Sequence, residues 1–250
     1  MSKGYHDKSR QVLRITGEDR QGFLQGLVSN DVEKLAKGPV YAALLNPQGK
    51  YLFDFFMVAD DAAILLDVAA ARAAALMQRL AMYRLRSDVV IEMDDRAVWR
   101  GIGARPMGAV DDPRHQAMGW RYYGDLDVAP LPEDYFEALR VEHAIPEPEL
   151  LENETYILEA GFERLGGVDF RKGCYVGQEI TARMKHKAKL KKGLRRVAVR
   201  GGAAFGAAIT ADGKPVGRLY TVIDGHGLAY LRFDRAKGEM QAGNATLMLA

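Results

Sequence analysis

A chain of 250 residues with one cysteine and a formal charge of +2 already excludes several classes of protein. One thiol cannot close an internal disulfide, a zinc site would need its ligands from elsewhere, and so small a charge does not by itself point to nucleic acid. With 48% apolar and 27% charged residues, no apolar run near the ~20 residues that cross a bilayer and no apolar core in the N-terminal MSKGYHDKSR, the chain reads as globular, outside the membrane and without a secretory signal. The expectation is a monomer in a reducing, cytoplasmic setting.

In chain order, Gln11 to Ile15 alternates as a short strand. Thr16, Gly17 and Asp19 then offer caps for a helix that places Phe23, Leu24, Leu27 and Val28 on one face. Val40 to Leu45 and Tyr51 to Val58 are strand-like, joined by the turn Asn46-Pro47-Gln48-Gly49. A strand at Ala62 to Val68, an Ala-rich helix from Ala69 to about Tyr83 and a strand at Val89 to Met93 form a β-α-β unit around 60–95. Val98 to Ala104 and Trp120 to Tyr123 add strands, and Tyr135 to His143 reads as helix ahead of a connector at Glu147-Pro148-Glu149. From Gly193 the pattern changes to short apolar segments punctuated by glycine (Val197 to Val199, Ala207 to Ile209, Pro215 to Val222, Gly227 to Phe233), which suggests a small β-barrel or sandwich. The organisation predicted is an α+β region over 1–130, a central segment over 131–190 that packs back on it, and a C-terminal barrel over 191–250.

The cysteine lies in KGCYVGQE, Lys172 to Glu179. Ile180 with Met184 and Glu179 with Arg183 are four apart, favouring a helix that begins near Gly177. Cys174 would then precede a helix N-terminus, where free N–H groups, the helix dipole, Arg171 and Lys172 favour a thiolate. Gly173 and Gly177 would allow positive φ or close approach to a ligand. The competing reading is a buried structural cysteine, since free cysteine is among the most buried residue types.

Asp54 is the second candidate. In YLFDFFMV it would share one strand face with Leu52, Phe56 and Val58, with Tyr51, Phe53, Phe55 and Met57 on the other. A desolvated carboxylate needs a partner or a raised pKa, so a ligand-facing role is weighed against a local backbone bond. The lysines at 185, 187, 189 and 191 alternate with His186, Ala188 and Leu190, as in an exposed strand or extended linker. Their alternative is an electropositive rim for an anionic tail, an acidic protein or RNA.

Together these residues carry a resemblance. KGCYVGQE with Arg183, Phe23 to Gly26, Ser29 to Val32, Leu45 to Asp54 (LNPQGKYLFD), Arg140 to Pro146 and Glu159 to Gly161 look like the YgfZ family of folate-binding proteins, which includes mitochondrial factors of late iron–sulfur cluster assembly. That family resembles the glycine-cleavage T-protein, an aminomethyltransferase using tetrahydrofolate. The resemblance implies three lobes in a ring around a central folate channel, with a barrel as the last lobe. It further implies tetrahydrofolate or a derivative as cofactor, with Asp54, Lys172, Tyr175, Gln178, Glu179 and Arg183 at the folate and Cys174 and Asp54 as the reactive groups. No resident metal site is implied. The function expected is an accessory protein for iron–sulfur clusters in clients such as tRNA-modifying enzymes, with iron–sulfur client or assembly proteins as partners and no direct nucleic-acid contact. A folate-dependent aminomethyl or methyl transferase is the alternative. Phe53-Asp54, where the T-protein has paired acids, and the cysteine signature both weaken an aminomethyl-transfer reading, and the second points towards the YgfZ branch.

Overall fold

The computed structural model describes residues 1–147, 154–187 and 189–250. β1 (Lys3–His6) is followed by β2 (Arg10–Thr16), α1 (Arg20–Gln25), β3 (Val40–Leu45), β4 (Tyr51–Asp60), β5 (Ala63–Ala69), α2 (Ala70–Arg84) and β6 (Val90–Asp94). Five of these strands form one sheet in the order β3-β4-β5-β2-β6. β5 and β6 each pair antiparallel with β2 between them, so the 60–95 unit is a split crossover whose helix passes over an intervening strand. One face of the sheet buries Leu13, Ile15, Phe55 and Leu66 with Leu76 and Leu80 of α2. Its other face carries Tyr41, Asp54, Phe56 and Asp67, and it too is buried.

The second sheet takes β1 back and adds β7 (Val98–Ile102), β8 (Val110–Asp111), β9 (Trp120–Tyr123) and β10 (Ala129–Pro130), ordered β10-β1-β7-β9-β8. Residues 1–130 therefore hold two sheets. α3 (Tyr135–Glu142) follows. Glu147 is described, whereas the rest of the expected connector, Pro148 and Glu149, lies outside the described residues. Ile157, Leu158, Phe162 and Leu165 then pack with Tyr41, Leu45, Tyr51 and Phe56, so the central segment covers the polar-studded face of the first sheet.

α4 (Gln178–Lys187) starts next to Gly177. It corrects the extended reading of the lysine run, because the helix continues through Lys185 and His186. Lys189 and Lys191 lie beyond the helix.

The last lobe is a closed barrel of β11 (Lys192–Arg200), β12 (Ala208–Ala211), β13 (Lys214–Ile223), β14 (His226–Arg232), β15 (Met240–Ala242) and β16 (Ala245–Leu249), ordered β11-β14-β13-β12-β15-β16 and closed by β11 pairing with β16. α3 seats it: Val141 packs with Leu194, Tyr220 and Leu228, and the Arg140 guanidinium donates to Thr221 Oγ1 of β13 at 3.0 Å.

Candidate functional site

The signature loop is held by its lysine. Lys172 is 8% exposed, and its ammonium donates to the carbonyls of Gln25 (2.7 Å), Val28 (2.6 Å) and Asn30 (3.0 Å). All three of its protons are used, so Lys172 is a clip between the loop and the N-terminal lobe. The neighbouring Ser29-Asn30 pair tightens the same joint, with Ser29 Oγ donating to Gly167 O at 2.6 Å and Asn30 Nδ2 to Gly166 O at 2.6 Å.

Gly177 has φ +83°, and a Cβ there would come within 2.7 Å of Asn46 O and 3.0 Å of Gly49 Cα. The loop thus lies against the β3–β4 turn at a separation only glycine permits. Gly173 behaves differently. It does not have positive φ, and a Cβ would meet nothing within 4 Å.

Cys174 is exposed, which removes the buried structural reading. Tyr175 is buried in the central cluster with Tyr41 and Tyr51, where burial pushes its phenol up to about 12. Gln178 and Glu179 open α4, and Glu179 pairs with Arg183 at 2.8 Å on the surface, their side chains 82% and 57% exposed.

Asp54 is 6% exposed, with both oxygens occupied. Tyr41 OH donates to Oδ2 at 2.8 Å and Tyr51 OH to Oδ1 at 2.6 Å. Tyr51 reaches it because the β3–β4 register shifts: Leu44 pairs with Phe53 but Leu45 with Tyr51. Leu52 is the extra residue of a β-bulge, which carries Tyr51 to the Asp54 side of the strand. The simple alternation predicted above therefore fails at Tyr51. Two phenols satisfy the carboxylate, Tyr41 stacks on Phe162 with centroids 4.9 Å apart, and both hydroxyls are held well above their ordinary pKa by burial and by Asp54.

Beyond Phe56 the lobes meet around a group of arginines. The guanidinium groups of Arg121, Arg114 and Arg10 lie 3.7, 4.6 and 5.5 Å from the Phe56 ring centroid. Asp67, fully buried, accepts from Arg10 Nε at 2.6 Å, from Arg121 and from Tyr123 OH at 3.0 Å. Asp112 accepts from Arg114 Nε and Nη2 at 3.0 and 2.8 Å and from Arg121 Nε at 3.2 Å. Burial alone would raise both carboxyls. The adjacent guanidiniums outweigh it and hold both below the ordinary range.

Arg100, stacked on Phe136 at 4.1 Å, reaches Asp7 alone among the described residues, at 3.4 Å. Burial, Arg121 and Arg114 depress it to about 9.

These arginines, with Arg140, line a cavity of about 260 Å³. It adjoins an outer cavity of about 490 Å³ bounded by Tyr5, Glu133, Asp134 and Phe136, the two sharing Asp7, Ser9, Arg100 and Glu137. Asp54, Lys172, Tyr175, Gln178, Glu179 and Arg183 belong to the lining of neither. The outer cavity falls in the range of ~300–1,000 Å³ usual for small-molecule sites, and the inner one beside it is lined by both guanidinium and carboxylate groups. Part of the basic run surrounds a separate groove, where Lys189, Lys191, Lys192 and Arg232 meet Met184 and Leu190.

Arg100 and Arg121 were not singled out in the sequence. The signal available was an arginine following a tryptophan in each of two short strands, Trp99-Arg100 and Trp120-Arg121.

Residues 191–250 match the CAF17 C-terminal beta-barrel domain. Over the whole chain the fold resembles the glycine cleavage system aminomethyltransferase T of Bartonella henselae, with a TM-score of 0.79, 98% of this chain and 84% of that one covered, and 13% identity. The human mitochondrial iron–sulfur cluster assembly factor IBA57 is 31% identical over 92% of this chain and 78% of its own length.

The chain belongs to the IBA57 family. The mouse IBA57 is 30% identical over the same shares of the two chains, and a Pyricularia oryzae homolog is 32% identical over 74% of this chain. The chain spans about half of that fungal IBA57 relative, 54% of its length. The YgfZ resemblance is thereby narrowed to the IBA57 members, on the T-protein fold. The cytoplasmic expectation is corrected: these IBA57 relatives are mitochondrial proteins. A low cysteine count reports a reducing environment, which the cytosol shares with other compartments, so composition could not separate them. No described helix is long and apolar enough to cross a membrane.

Proposed function

We propose that this protein is an accessory factor in iron–sulfur cluster assembly that presents one thiol, Cys174, to a cluster shared with a partner protein, and that it binds tetrahydrofolate. The observation that carries the reading is the exposed Cys174 on a loop fixed from behind by Lys172. A single thiolate cannot complete a four-cysteine ligand set, so a cluster touching this sulfur keeps its other ligands on the partner. Binding releases the thiol proton to solvent and forms one sulfur–iron bond; handing the cluster on breaks that bond and returns the proton. Clients that modify tRNA fall within this reading.

Tetrahydrofolate, when bound, supplies a reduced pteridine that carries one-carbon units. The lobe junction supports such a ligand better than the surroundings of Asp54, whose oxygens are already taken by two phenols. Glu133 and Glu137 would accept from pteridine N–H groups, and the arginine wall would meet carboxylates. Asp54 holds Tyr41 and Tyr51 in place. The transferase alternative has less support, because this shielded carboxylate is not free to act on a donor.

The test compares cells carrying wild-type protein with cells carrying Cys174→Ser, scoring cluster content of client enzymes alongside abundance of the variant. The proposal expects normal abundance and clients depleted of cluster. Clients fully loaded in the variant strain remove the sulfur from the function.

A further inference from the structure

Charge is unevenly distributed around the inner junction cavity. On one wall three guanidiniums, those of Arg10, Arg114 and Arg121, share two carboxylates, Asp67 and Asp112. Arg100 stands beside them, and its one ion pair among the described residues, to Asp7 at 3.4 Å, is near the outer limit of a hydrogen bond. Asp7 is already engaged by Ser9, whose Oγ donates to Oδ1 at 2.5 Å.

The opposite wall is arranged the other way. Arg140 faces Glu137 at 2.6 Å and Glu147 at 2.5 Å. Within this network the Nε atoms of Arg100 and Arg140 are buried and have no hydrogen-bond partner among the described residues. Leaving such donors unsatisfied is costly, and a planar guanidinium fork is matched by a carboxylate or a phosphate. With Asp7 set against Arg100, the excess on that wall is a single charge, and Glu137 and Glu147 on the lining repel a multiply charged ligand. A carboxylate satisfies both conditions better than a phosphate does.

We propose that the Arg100–Arg114 wall of the inner cavity is a carboxylate-binding site. A free small carboxylic acid and the glutamyl end of a folate share the required chemistry. The inference deepens the tetrahydrofolate reading without depending on it, since a free acid would occupy the same wall.

The test is calorimetric titration of the full chain, as wild type, Arg100→Gln and Arg100→Lys, with tetrahydrofolate, tetrahydropteroate (which lacks the glutamyl group), L-glutamate and inorganic phosphate. Circular-dichroism melting serves as the folding control. For a glutamyl tail, tetrahydrofolate binds the wild type at least about tenfold more tightly than tetrahydropteroate, and Arg100→Gln erases that difference. For a free acid, L-glutamate binds, Arg100→Gln weakens it about tenfold, and tetrahydrofolate fails to bind; this outcome sustains the inference while ending the folate reading. Should Arg100→Gln not fold, Arg100→Lys decides, because it keeps the charge without the fork and is expected to weaken the same ligand. The inference is overturned if neither tetrahydrofolate nor L-glutamate binds, if phosphate binds more tightly than both, if tetrahydrofolate and tetrahydropteroate bind equally while L-glutamate does not bind, or if a folded Arg100 variant binds like wild type.

Discussion

Tyr51 and Asp54 are bonded through their side chains at 2.6 Å although they stand three residues apart on one strand, a spacing that in regular alternation sends them to opposite faces. The Leu52 bulge makes the contact, and with Tyr41 it supplies the partners a buried carboxylate requires. Tyr51→Phe is therefore expected to lower stability by about 1.5–3 kcal/mol, the range for a hydrogen bond to a charged group. Denaturant unfolding measures it. A loss below about 0.5 kcal/mol, the scatter of neutral substitutions, would mean that Asp54 does not depend on the phenol.

Lys172→Met removes three charge-assisted bonds and leaves the carbonyls of Gln25, Val28 and Asn30 without that partner. A loss of about 3 kcal/mol or more is expected. Cys174→Ser, an exposed change beside it, should stay within about 0.5 kcal/mol of wild type. Parallel melts of the two variants check the contrast, and equal effects would contradict the roles given to them.

The acid limb of stability should belong to Asp67 and Asp112, whose folded pKa values are depressed. Below the ordinary carboxylate range near ~4 the unfolded chain binds protons that the folded chain does not. Stability contributed by these groups is thus present above that pH and falls as pH drops through the folded values. Asp112→Asn should flatten the slope of unfolding free energy against pH below ~4 by about one proton while lowering stability at neutral pH. An unchanged slope would assign the acid limb to other groups.

Glu179 and Arg183 form an exposed pair of the kind that contributes about 0.3–0.5 kcal/mol. Arg183→Gln should change stability by no more than that and leave tetrahydrofolate titrations as in wild type. A clear loss of ligand affinity would return Arg183 to the binding site.

Much of the fold was legible because its signals are local. The Asn46–Gly49 turn, the Ala-rich helix and the glycine-punctuated strands of the barrel each announce themselves within a few residues. β15 and β16 escaped because Met240–Ala242 is only three residues long and little separates it from the next strand. The split crossover escaped because sheet order is set by pairing between β2 and residues far along the chain, such as Arg10 with Ala69 and Val12 with Asp94.

The site was harder to read. Asp54 was recognised as an acid in need of a partner, but a bulge leaves no mark in a hydrophobic pattern, so its second tyrosine looked misdirected. The arginine cluster gathers residues from positions 10, 100, 114, 121 and 140, and no window of sequence contains enough of them to register as one feature.

The closeness of Gly49 and Gly177, with Lys172 anchored in front of it, fixes how the sulfur can be used. Cys174 rides on a short loop of the central segment braced against the first lobe, with no long tether on which to swing towards a distant metal centre. On the proposed reading, a partner would have to carry its iron to the thiol, past the surface of the first lobe around residues 25–30 and 46–49.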